Sequence, residues 1–418
     1  MLDIKLLRDD PERIKKGIAS KNIDPKIVDE ILLADRKRRE LLEEAENLRA
    51  QRNKLAKLGK ETPEAKELKE RFKLVEQELK KSEKEFQDFM LQLPNLPASD
   101  VEVGKDESEN KVIRKWGEPA HFDFSPKDYL EIGENLDIID VKRASKVSGA
   151  RFGYLKGEAA LLEFALVNLA LETLVKEGFV PVVPPVLIKK EVMGGMGYLE
   201  HGGEEDMYVF DKDRLVLVGT SEQSLGPMHM DELLEEGKLP LRYVGFSTCF
   251  RREAGSYGKD TKGILRVHQF DKIEMFSFTK PEVSDREHEY LLAMEEKMVQ
   301  LLELPYQVVK MCTGDLGTPA ARKYDIECWI PSEKRYRETH STSTCTDFQA
   351  RRLNIRYQSS IINHQSSIQF VHTLNGTALA IGRTIIAILE NYQQKDGSVL
   401  VPKALQKYTG FSKISSKK

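Results

Sequence analysis

Cysteine is scarce in this chain of 418 residues, which holds only Cys249, Cys312, Cys328 and Cys345. No two of these residues form a Cys-x-x-Cys pair. Closely spaced cysteine pairs mark structural zinc sites, and regular cysteine patterns mark the disulfide frameworks of secreted proteins. We therefore expect a reducing compartment, no disulfide framework and no zinc.

Long apolar segments are also missing. No run of 18 apolar residues occurs, and the first residues, MLDIK, lack the apolar stretch of a secretory signal. These absences predict a cytoplasmic protein that makes no membrane contact. The sequence likewise has no Gly-x-Gly-x-x-Gly or Walker motif after a predicted strand, so a nucleotide cannot be held as in Rossmann or P-loop proteins.

A heptad pattern is present in the first hundred residues. Apolar side chains recur at spacings of four and three from Ile27 to Leu55, and again from Ala65 to Leu93. Such spacing is typical of coiled-coil helices. Gly59 favours a helix end and Pro63 favours a new helix start. We therefore predict two antiparallel helices, which we call the arm.

The arm concentrates positive charge, although the net charge of the whole chain is only −3. Residues 36–60 carry nine lysines and arginines against four acids. Clustered cations on a two-helix arm suit contact with RNA phosphates, and a dimerising or merely solvated hairpin is the alternative. The candidate RNA contacts are Arg36, Arg39, Arg49, Arg52, Lys54 and Lys57.

The domain boundaries follow from proline and from composition. Pro94 ends the second arm helix, because proline disfavours helical geometry in the residue before it. We predict an arm over 1–100, a polar linker over 101–120 and a body over 121–418. In the body, strands and helices mix without regular βαβ alternation, which predicts an α+β domain built on an antiparallel sheet.

Residues 249–274, CFRREAGSYGKDTKGILRVHQFDKIE, carry charged side chains at strand positions where packing of the fold alone does not require them. Strands are predicted on both sides of a glycine-bearing loop, over 243–250 and 265–278. Together with the loop start, one face of the second strand suits a polyanion that carries a planar base; the alternative is the solvated face of an ordinary hairpin. The loop start supplies Arg251, Arg252 and Glu253, and the strand face supplies Arg266, His268, Phe270, Lys272 and Glu274.

Two shorter segments offer polar groups next to apolar elements. Glu338 and Ser341 supply the oxygen ligands that Mg²⁺ prefers, although a helix cap would also explain this pair. Residues 375–393 are predicted as a helix that is apolar apart from Arg383, for which a structural salt bridge is the alternative.

In their order along the chain, these segments resemble the signature motifs of class II aminoacyl-tRNA synthetases, in the form found in seryl-tRNA synthetases. Residues 249–274 resemble the second motif, residues 375–393 the third, and residues 178–185 the first, which lies at the dimer interface in that family. The arm and the hinge after it are similar as well. This chain departs from the common pattern at His340 and Thr377, where many relatives have serine.

The resemblance implies an enzyme that converts L-serine and ATP into seryl-adenylate and then charges tRNA-Ser; whether it also charges tRNA-Sec is left open. It further implies a homodimer and Mg²⁺ held by Glu338 and Ser341. Arg251 and Arg383 are the implied catalytic residues. The implied ATP contacts are Arg251, Arg252, Glu253, Val267, His268, Gln269, Phe270, Glu338, Thr339, His340, Ser341 and Arg383. The implied serine contacts are Thr220, Ser221, Glu222, Arg251, Glu274, Asn375 and Thr377.

Three other functions stay open at this point. The first is a class II synthetase for another small amino acid. The second is a ligase that loads a carrier protein, although such relatives lack the arm and use a zinc-bound pocket. The third is an RNA-binding or regulatory paralogue without activity.

Overall fold

The computed structural model describes residues 1–56, 63–254, 262–359 and 367–416. The chain divides into two compact units, Met1–Leu96 and Pro97–Lys418. Within the described ranges, no helix is both long enough and apolar enough to cross a lipid bilayer.

The first unit is helical, and two long helices dominate it. Its helices are Ile4–Asp9, Pro11–Ala19, Lys26–Ala56 and Pro63–Gln92. The two long helices pair along their length, as the heptad spacing predicts. Near their outer part they share a small core, formed by Ala45, Leu48, Phe72 and Val75. A second core lies between the short helices and the bases of the long ones, formed by Leu2, Leu7, Ile14, Ile18, Val28, Ile31, Met90 and Leu93.

Arginines occupy two positions of the arm seam where the heptad expects apolar residues. The guanidinium carbon of Arg38 lies 4.9 Å from the ring centroid of Phe86, and that of Arg52 lies 4.6 Å from the ring centroid of Phe72. A guanidinium over an aromatic face is a favourable contact. These arginines therefore pack between the helices through their stems and planes, without becoming buried charges.

One buried carboxylate fastens the short helices to the arm. Asp35, which is 1% exposed, accepts hydrogen bonds from Nε and Nη2 of Arg8 at 2.8 and 2.7 Å. Arg38 and Arg39 also pair with it, at 3.2 Å each. Burial would raise the pKa of Asp35, but the hydrogen bonds from Arg8 and Arg38 lower it overall.

The second unit is built on a large sheet, in whose described part eight strands take part. In chain order they are β1 (Lys111–Trp116), β2 (Val180–Val182), β3 (Leu241–Phe250), β4 (Gln269–Thr279), β5 (Tyr306–Lys310), β6 (Arg322–Ile330), β7 (Arg335–Thr346) and β8 (His372–Ala380). Their order across the sheet is β1, β5, β6, β7, β8, β4, β3, β2. All neighbours are antiparallel except β2 and β3, which are parallel. This arrangement confirms the predicted α+β body.

Helices cover this sheet and complete the core. The helices of the second unit are Tyr129–Asn135, Val141–Ser148, Glu158–Lys176, Lys190–Met196, Glu222–Leu225, Ser284–Leu301, Phe348–Leu353, Ile381–Asn391 and Lys403–Thr409. Single 3₁₀ turns lie at Glu107–Glu109, Gly203–Asp206, Gly226–His229, Glu236–Lys238, Pro281–Val283 and Thr313–Asp315. Short strands lie at Ile139–Asp140, Tyr154–Leu155, Leu187–Lys189, Val209–Phe210, Leu215–Leu217, Leu233–Glu235, Arg356–Gln358, Ile368–Phe370, Val399–Leu400 and Lys413–Ile414.

Three sequence-based boundaries differ from the structure. The second strand of the predicted hairpin begins at Gln269 instead of residue 265, so strand alternation does not apply to residues 265–268. The predicted helix over 375–393 is wrong in its first six residues, which end strand β8; the helix is Ile381–Asn391. These six residues, NGTALA, are buried in the strand, and no cap or proline separates them from the apolar helix that follows, which explains this error. Finally, β1 lies inside the predicted linker 101–120.

Candidate active site

A cavity of about 400 Å³ opens on the face of the central strands β3, β4, β7 and β8. Strand alternation places polar side chains of these strands toward it, while the opposite face packs into the core. Helix and loop residues close its sides, so cations, carboxylates, hydroxyls and an aromatic ring share one concave surface. Such a mixture suits a charged ligand with a flat ring better than an apolar one.

One end of the cavity is formed where strand β3 ends. Arg251 follows the strand directly, and its Nε donates to the carbonyl oxygen of Gly219 at 3.1 Å. Its guanidinium carbon lies 5.3 Å from the ring centroid of Phe270 on β4. Glu253 pairs with Arg266 at 2.9 Å. These contacts hold a cation and a carboxylate beside an aromatic face.

Strand β7 brings a carboxylate and a hydroxyl to the same wall through an irregular pairing. The residues that pair with His340 and Glu338 are neighbours on β6, so Thr339 is an extra residue, a β-bulge. The hydroxyl of Thr339 donates to the carbonyl oxygen of Ile326 at 3.2 Å. Because of the bulge, Glu338 and Ser341 both line the cavity, although they are three residues apart.

Positive charges surround Glu338. Arg383 pairs with its side chain at 3.2 Å and donates to its carbonyl oxygen at 3.0 Å. Crowding by protein raises the pKa of Glu338, but the charges of Arg383 and Lys323 outweigh this effect and lower it to about 2. The side chain is still 45% exposed, toward the cavity. An ionised, accessible carboxylate is therefore present at neutral pH.

His340 next to it behaves differently. Burial lowers the pKa of His340 to about 3, so the imidazole is neutral at physiological pH. Its Nδ1 lies 2.8 Å from the hydroxyl of Thr339. His340 therefore presents an uncharged ring to the cavity wall.

A second carboxylate, Glu222, lies in a polar cluster at another side of the cavity. It begins the helix Glu222–Leu225 and is 5% exposed. The Tyr198 hydroxyl donates to it, and Nδ2 of Asn375 donates to its Oε1 at 3.4 Å. Burial raises the pKa of Glu222 to about 7, with the charge of Glu274 adding to the rise.

Below the cavity, β4 and β8 hold a buried ion pair. Lys272, which lines the cavity, contacts Glu274 at 2.5 Å, and both side chains are less than a tenth exposed. The register places Glu274 opposite Thr377, whose hydroxyl donates to it at 3.3 Å. Glu274 is thus one layer behind the cavity wall, and it is held by a lysine and a hydroxyl that both reach that wall.

Comparison with known proteins identifies the family. Residues 1–97 match the model of the seryl-tRNA synthetase N-terminal domain, and residues 208–392 match the class II core domain of the synthetases for G, H, P, S and T. The serine--tRNA ligase of Dictyoglomus turgidum is 48% identical over 429 residues, covering 100% of both chains. The chain belongs to the seryl-tRNA synthetases. It is therefore a class II aminoacyl-tRNA synthetase with an ATP site and serine specificity, as the motifs predict.

Other relatives agree with this assignment. The serine--tRNA ligase of Acidothermus cellulolyticus is 48% identical, covering 100% of both chains. Among solved structures, a seryl-tRNA synthetase from Pyrococcus horikoshii complexed with ATP superposes with a TM-score of 0.92 at 42% identity, covering 100% of both chains. The cytoplasmic enzyme of Naegleria fowleri with AMP gives 0.88 at 33%, covering 100% of this chain and 99% of that one. These structures confirm the fold of the synthetase over its whole length.

The structure brings most of the predicted contact residues to the cavity. The predicted ATP contacts in its wall are Arg251, Glu253, Val267, Phe270, Glu338, Thr339, His340, Ser341 and Arg383. The predicted serine contacts in its wall are Thr220, Glu222, Arg251, Asn375 and Thr377.

Five predicted contacts are placed elsewhere among the described residues. Arg252 is exposed, with its guanidinium 6.0 Å from the ring centroid of Tyr208. The Nδ1 of His268 lies 3.0 Å from a backbone oxygen, and Gln269 is exposed. Because the strand begins only at Gln269, the alternation predicted for His268 is wrong. The two others, Ser221 and Glu274, are buried behind the wall.

Several lining residues were not predicted as ATP or serine contacts, among them Tyr198, Lys272 and Lys323, although Lys272 belongs to the predicted charged strand face. Tyr198 follows a glycine-rich helix end, Lys272 is a lysine on an alternating strand, and Lys323 lies on β6, far from the motifs in sequence. Lys323 contacts Asp325 at 3.1 Å. The spacing of Lys272 from Phe270 and Glu274 was the one available signal, since all three share a strand face.

The arm residues predicted to contact RNA are spread along one helix. Arg36, Arg39, Arg49 and Lys54 are exposed, and Arg52 is half-buried over Phe72. Lys57 lies outside the described residues.

Proposed function

We propose that the cavity activates L-serine with ATP and that the same site then charges tRNA-Ser. The observation that carries this proposal is that Arg251, Glu338 and Arg383 line one cavity together with the polar cluster around Glu222. The first set offers charges for a triphosphate, and the second offers a carboxylate for an ammonium group. A domain that merely binds RNA has no need of such a divided pocket.

In the activation step, an oxygen of the serine carboxylate attacks the α-phosphorus of ATP. The bond from that phosphorus to the bridging oxygen of the β-phosphate breaks, and pyrophosphate leaves. No protein nucleophile is needed, so catalysis consists of positioning and charge stabilisation. In the second step, a ribose hydroxyl of the terminal adenosine attacks the seryl carbonyl carbon, and AMP leaves.

The nucleotide is assigned to the end of the cavity that holds Arg251. There Arg251 bridges the serine carboxylate and the α-phosphate, Phe270 stacks on adenine, and Glu253 contacts its edge. Arg383 contacts the γ-phosphate side. The guanidinium of Arg251 over the Phe270 ring supports this arrangement, since both groups face the same space.

Serine is assigned to the end that holds Glu222. Thr220 and Glu222 contact the ammonium group, Asn375 shapes the pocket, and Glu274 with Thr377 reads the hydroxyl. The hydrogen bond from Thr377 to Glu274 supports this last role, because it links the buried carboxylate to the cavity wall.

The donor set of Glu338 and Ser341 fits Mg²⁺, which prefers carboxylate and hydroxyl oxygens. Glu338 is ionised and 45% exposed, as a ligand of a hard cation must be. When bound there, Mg²⁺ would neutralise charge on the phosphates.

For the molecule as a whole, we propose that residues 1–100 bind tRNA and residues 121–418 carry out the chemistry in the cytoplasm. We also propose a homodimer that forms around β2. Exposed apolar side chains near that strand support it, namely Leu161 (51% exposed), Phe164 (60%), Val180 (53%) and Val183 (85%).

The decisive experiment is ATP–pyrophosphate exchange with each of the twenty amino acids, followed by charging of tRNA-Ser and tRNA-Sec. We expect exchange with L-serine and charging of tRNA-Ser. Exchange with another small amino acid in preference to serine would overturn the substrate assignment. Exchange that proceeds without any tRNA charging would indicate a carrier-protein ligase.

A further inference from the structure

Tyr198 lies in the wall of the cavity, on a segment that none of the sequence motifs covers. The helix Lys190–Met196 ends at Gly197, which has φ of +86°, in the left-handed region that favours glycine. A Cβ at Gly197 would lie 2.9 Å from the ring of Phe348. The chain therefore turns sharply at a glycine and directs the next residue, Tyr198, into the cavity.

The helix Phe348–Leu353 fixes this turn from outside. Nε2 of Gln349 donates to the carbonyl oxygen of Met196 at 3.2 Å. Arg352, whose side chain is 1% exposed, donates to the carbonyl oxygen of Gly194 and to Glu200, at 3.0 Å each. Buried contacts on both sides of Tyr198 thus hold its backbone in place.

The Tyr198 hydroxyl donates to Glu222, which also accepts from the Asn375 amide at 3.4 Å. Resting on the proposed function, we propose that Tyr198 is a positioning residue for serine: it orients the Glu222 carboxylate toward the ammonium group of the amino acid. Tyr198 acts through Glu222, and its hydroxyl takes no part in the chemistry.

The charges around Glu222 show why a donor is needed there. Glu274, on β4, opposes ionisation of Glu222, whereas Lys272 and Arg251 favour it. Burial raises the pKa of Glu222 to about 7, and the hydrogen bond from Tyr198 limits this rise. Burial also raises the pKa of Tyr198 well above its ordinary value, so its hydroxyl stays protonated and remains a donor.

The test compares the full-length wild type with Tyr198→Phe in serine-dependent pyrophosphate exchange between pH 6 and pH 9. Loss of a hydrogen bond to a buried carboxylate is expected to raise the serine KM about tenfold at pH 7. The ATP KM and kcat should stay within about twofold. The acidic limb of kcat/KM for serine should move to higher pH, because the ionised form of Glu222 has lost a donor.

Tyr243→Phe is the matched control. Its hydroxyl lies 2.9 Å from Nε2 of His229, outside the cavity wall. This variant should show an unchanged serine KM and an unchanged pH profile. In a Glu222→Gln background, Tyr198→Phe should change serine binding by less than about twofold, measured by calorimetry where exchange is slow.

An unchanged serine KM in Tyr198→Phe, or an equal rise of the serine and ATP KM values, would overturn the assignment. Should Tyr198→Phe not fold, Tyr198→Leu, which also removes the donor, takes its place, and the same two results would count against the proposal. Absence of serine-dependent exchange in the wild type is a separate result, which contradicts the proposed function itself.

Discussion

Arg251 shows how a single side chain joins the two halves of the cavity. Its Nε donates to the Gly219 carbonyl oxygen on the side proposed for serine, and its guanidinium faces Phe270 on the side proposed for the nucleotide. A cation fixed between two substrates is well placed to stabilise the charge that develops when they react.

Arg251→Ala is therefore expected to lower serine-dependent exchange by about a hundredfold or more. The loss should appear in kcat, because the charge that Arg251 meets grows in the transition state. Arg252→Ala is the neighbouring control, since Arg252 is exposed and lies over Tyr208. Exchange by Arg251→Ala within a few-fold of the wild type would contradict its catalytic role.

Glu274 lies behind the cavity wall, and we propose that it contributes to the specificity for serine over other amino acids. Its hydrogen bond from Thr377, which lines the cavity, supports the proposed contact of this polar pair with the serine hydroxyl. Sites that bond a substrate hydroxyl reject its absence by about 10⁴. Glu274→Ala should therefore raise the serine KM steeply and narrow the ratio of serine to alanine activation, measured by exchange. A higher ATP KM with an unchanged serine-to-alanine ratio would assign Glu274 to the nucleotide side instead.

At the scale of single elements, the helix Ser284–Leu301 carries a carboxylate into the core behind the sheet. Glu295 is fully buried beside Gly376, where the backbone of Thr377 offers its carboxyl group a hydrogen bond. Burial raises the pKa of Glu295 well above its ordinary value, and the charges of Glu274 and Asp325 raise it further. The folded protein therefore holds the proton of this carboxyl group more tightly than the unfolded chain does.

This raised pKa makes stability depend on pH. Unfolding releases the proton of Glu295, so the group costs more stability as the pH rises above its unfolded pKa of about 4.3. Glu295→Gln removes this cost. The difference between its melting temperature and that of the wild type, measured by calorimetry, should increase from pH 6 to pH 9 in favour of the variant. Glu296→Gln is the control: it breaks the 2.8 Å ion pair with Arg114 and should only lower stability. A constant difference between Glu295→Gln and the wild type would show that Glu295 is ionised in the fold.

The arm is the second element whose role can be separated. Replacing residues 41–81 by a short glycine linker removes its outer core and four predicted RNA contacts, and it keeps the lower core around Ile31 and Met90. Serine-dependent exchange should persist, while charging of tRNA-Ser should fall about a hundredfold or more, because phosphate contacts supply much of RNA affinity. Normal charging by the shortened protein would assign the arm another purpose, such as assembly.

How well the sequence predicts the structure differs from element to element. Motif residues such as Arg251 and Glu338 were predictable because their charges conflict with a simple core face. The strand end at Ala380 was not, since no cap or proline separates residues 375–380, NGTALA, from the apolar helix that follows. The role proposed for Tyr198 was not predictable either, because it depends on Glu222, Gln349 and Arg352. Tertiary packing brings these residues near Tyr198, and no local spacing in the sequence predicts that.

At the scale of the whole molecule, the two edges of the main sheet differ in what they expose. The edge at β2 adjoins the apolar side chains Leu161, Phe164 and Val183, whereas β1 at the opposite edge mixes apolar residues with lysine and arginine. Contiguous apolar surface marks a protein interface more often than mixed surface does.

Phe164→Glu is therefore expected to dissociate the proposed homodimer. Light scattering should show a change from twice the chain mass to the 47.7 kDa of one chain. Ile113→Glu, at a residue of β1 that is 49% exposed, is the matched control and should leave the mass unchanged. A monomeric wild type, or a dimer that Phe164→Glu leaves intact, would contradict an interface at β2.

The bulge at Thr339 has a consequence for how this chain tolerates change in length. In a strand, two side chains share a face only when an even number of steps separates them. Glu338 and Ser341 are an odd number apart, and the extra residue corrects the parity. Deleting or inserting one residue between them would turn the side chains before that point, from Arg335 to Glu338, to the other face of the strand. The amino-acid composition of the strand would hardly change. Natural insertions in this enzyme should therefore fall at the ends of β7 and never between Glu338 and Ser341.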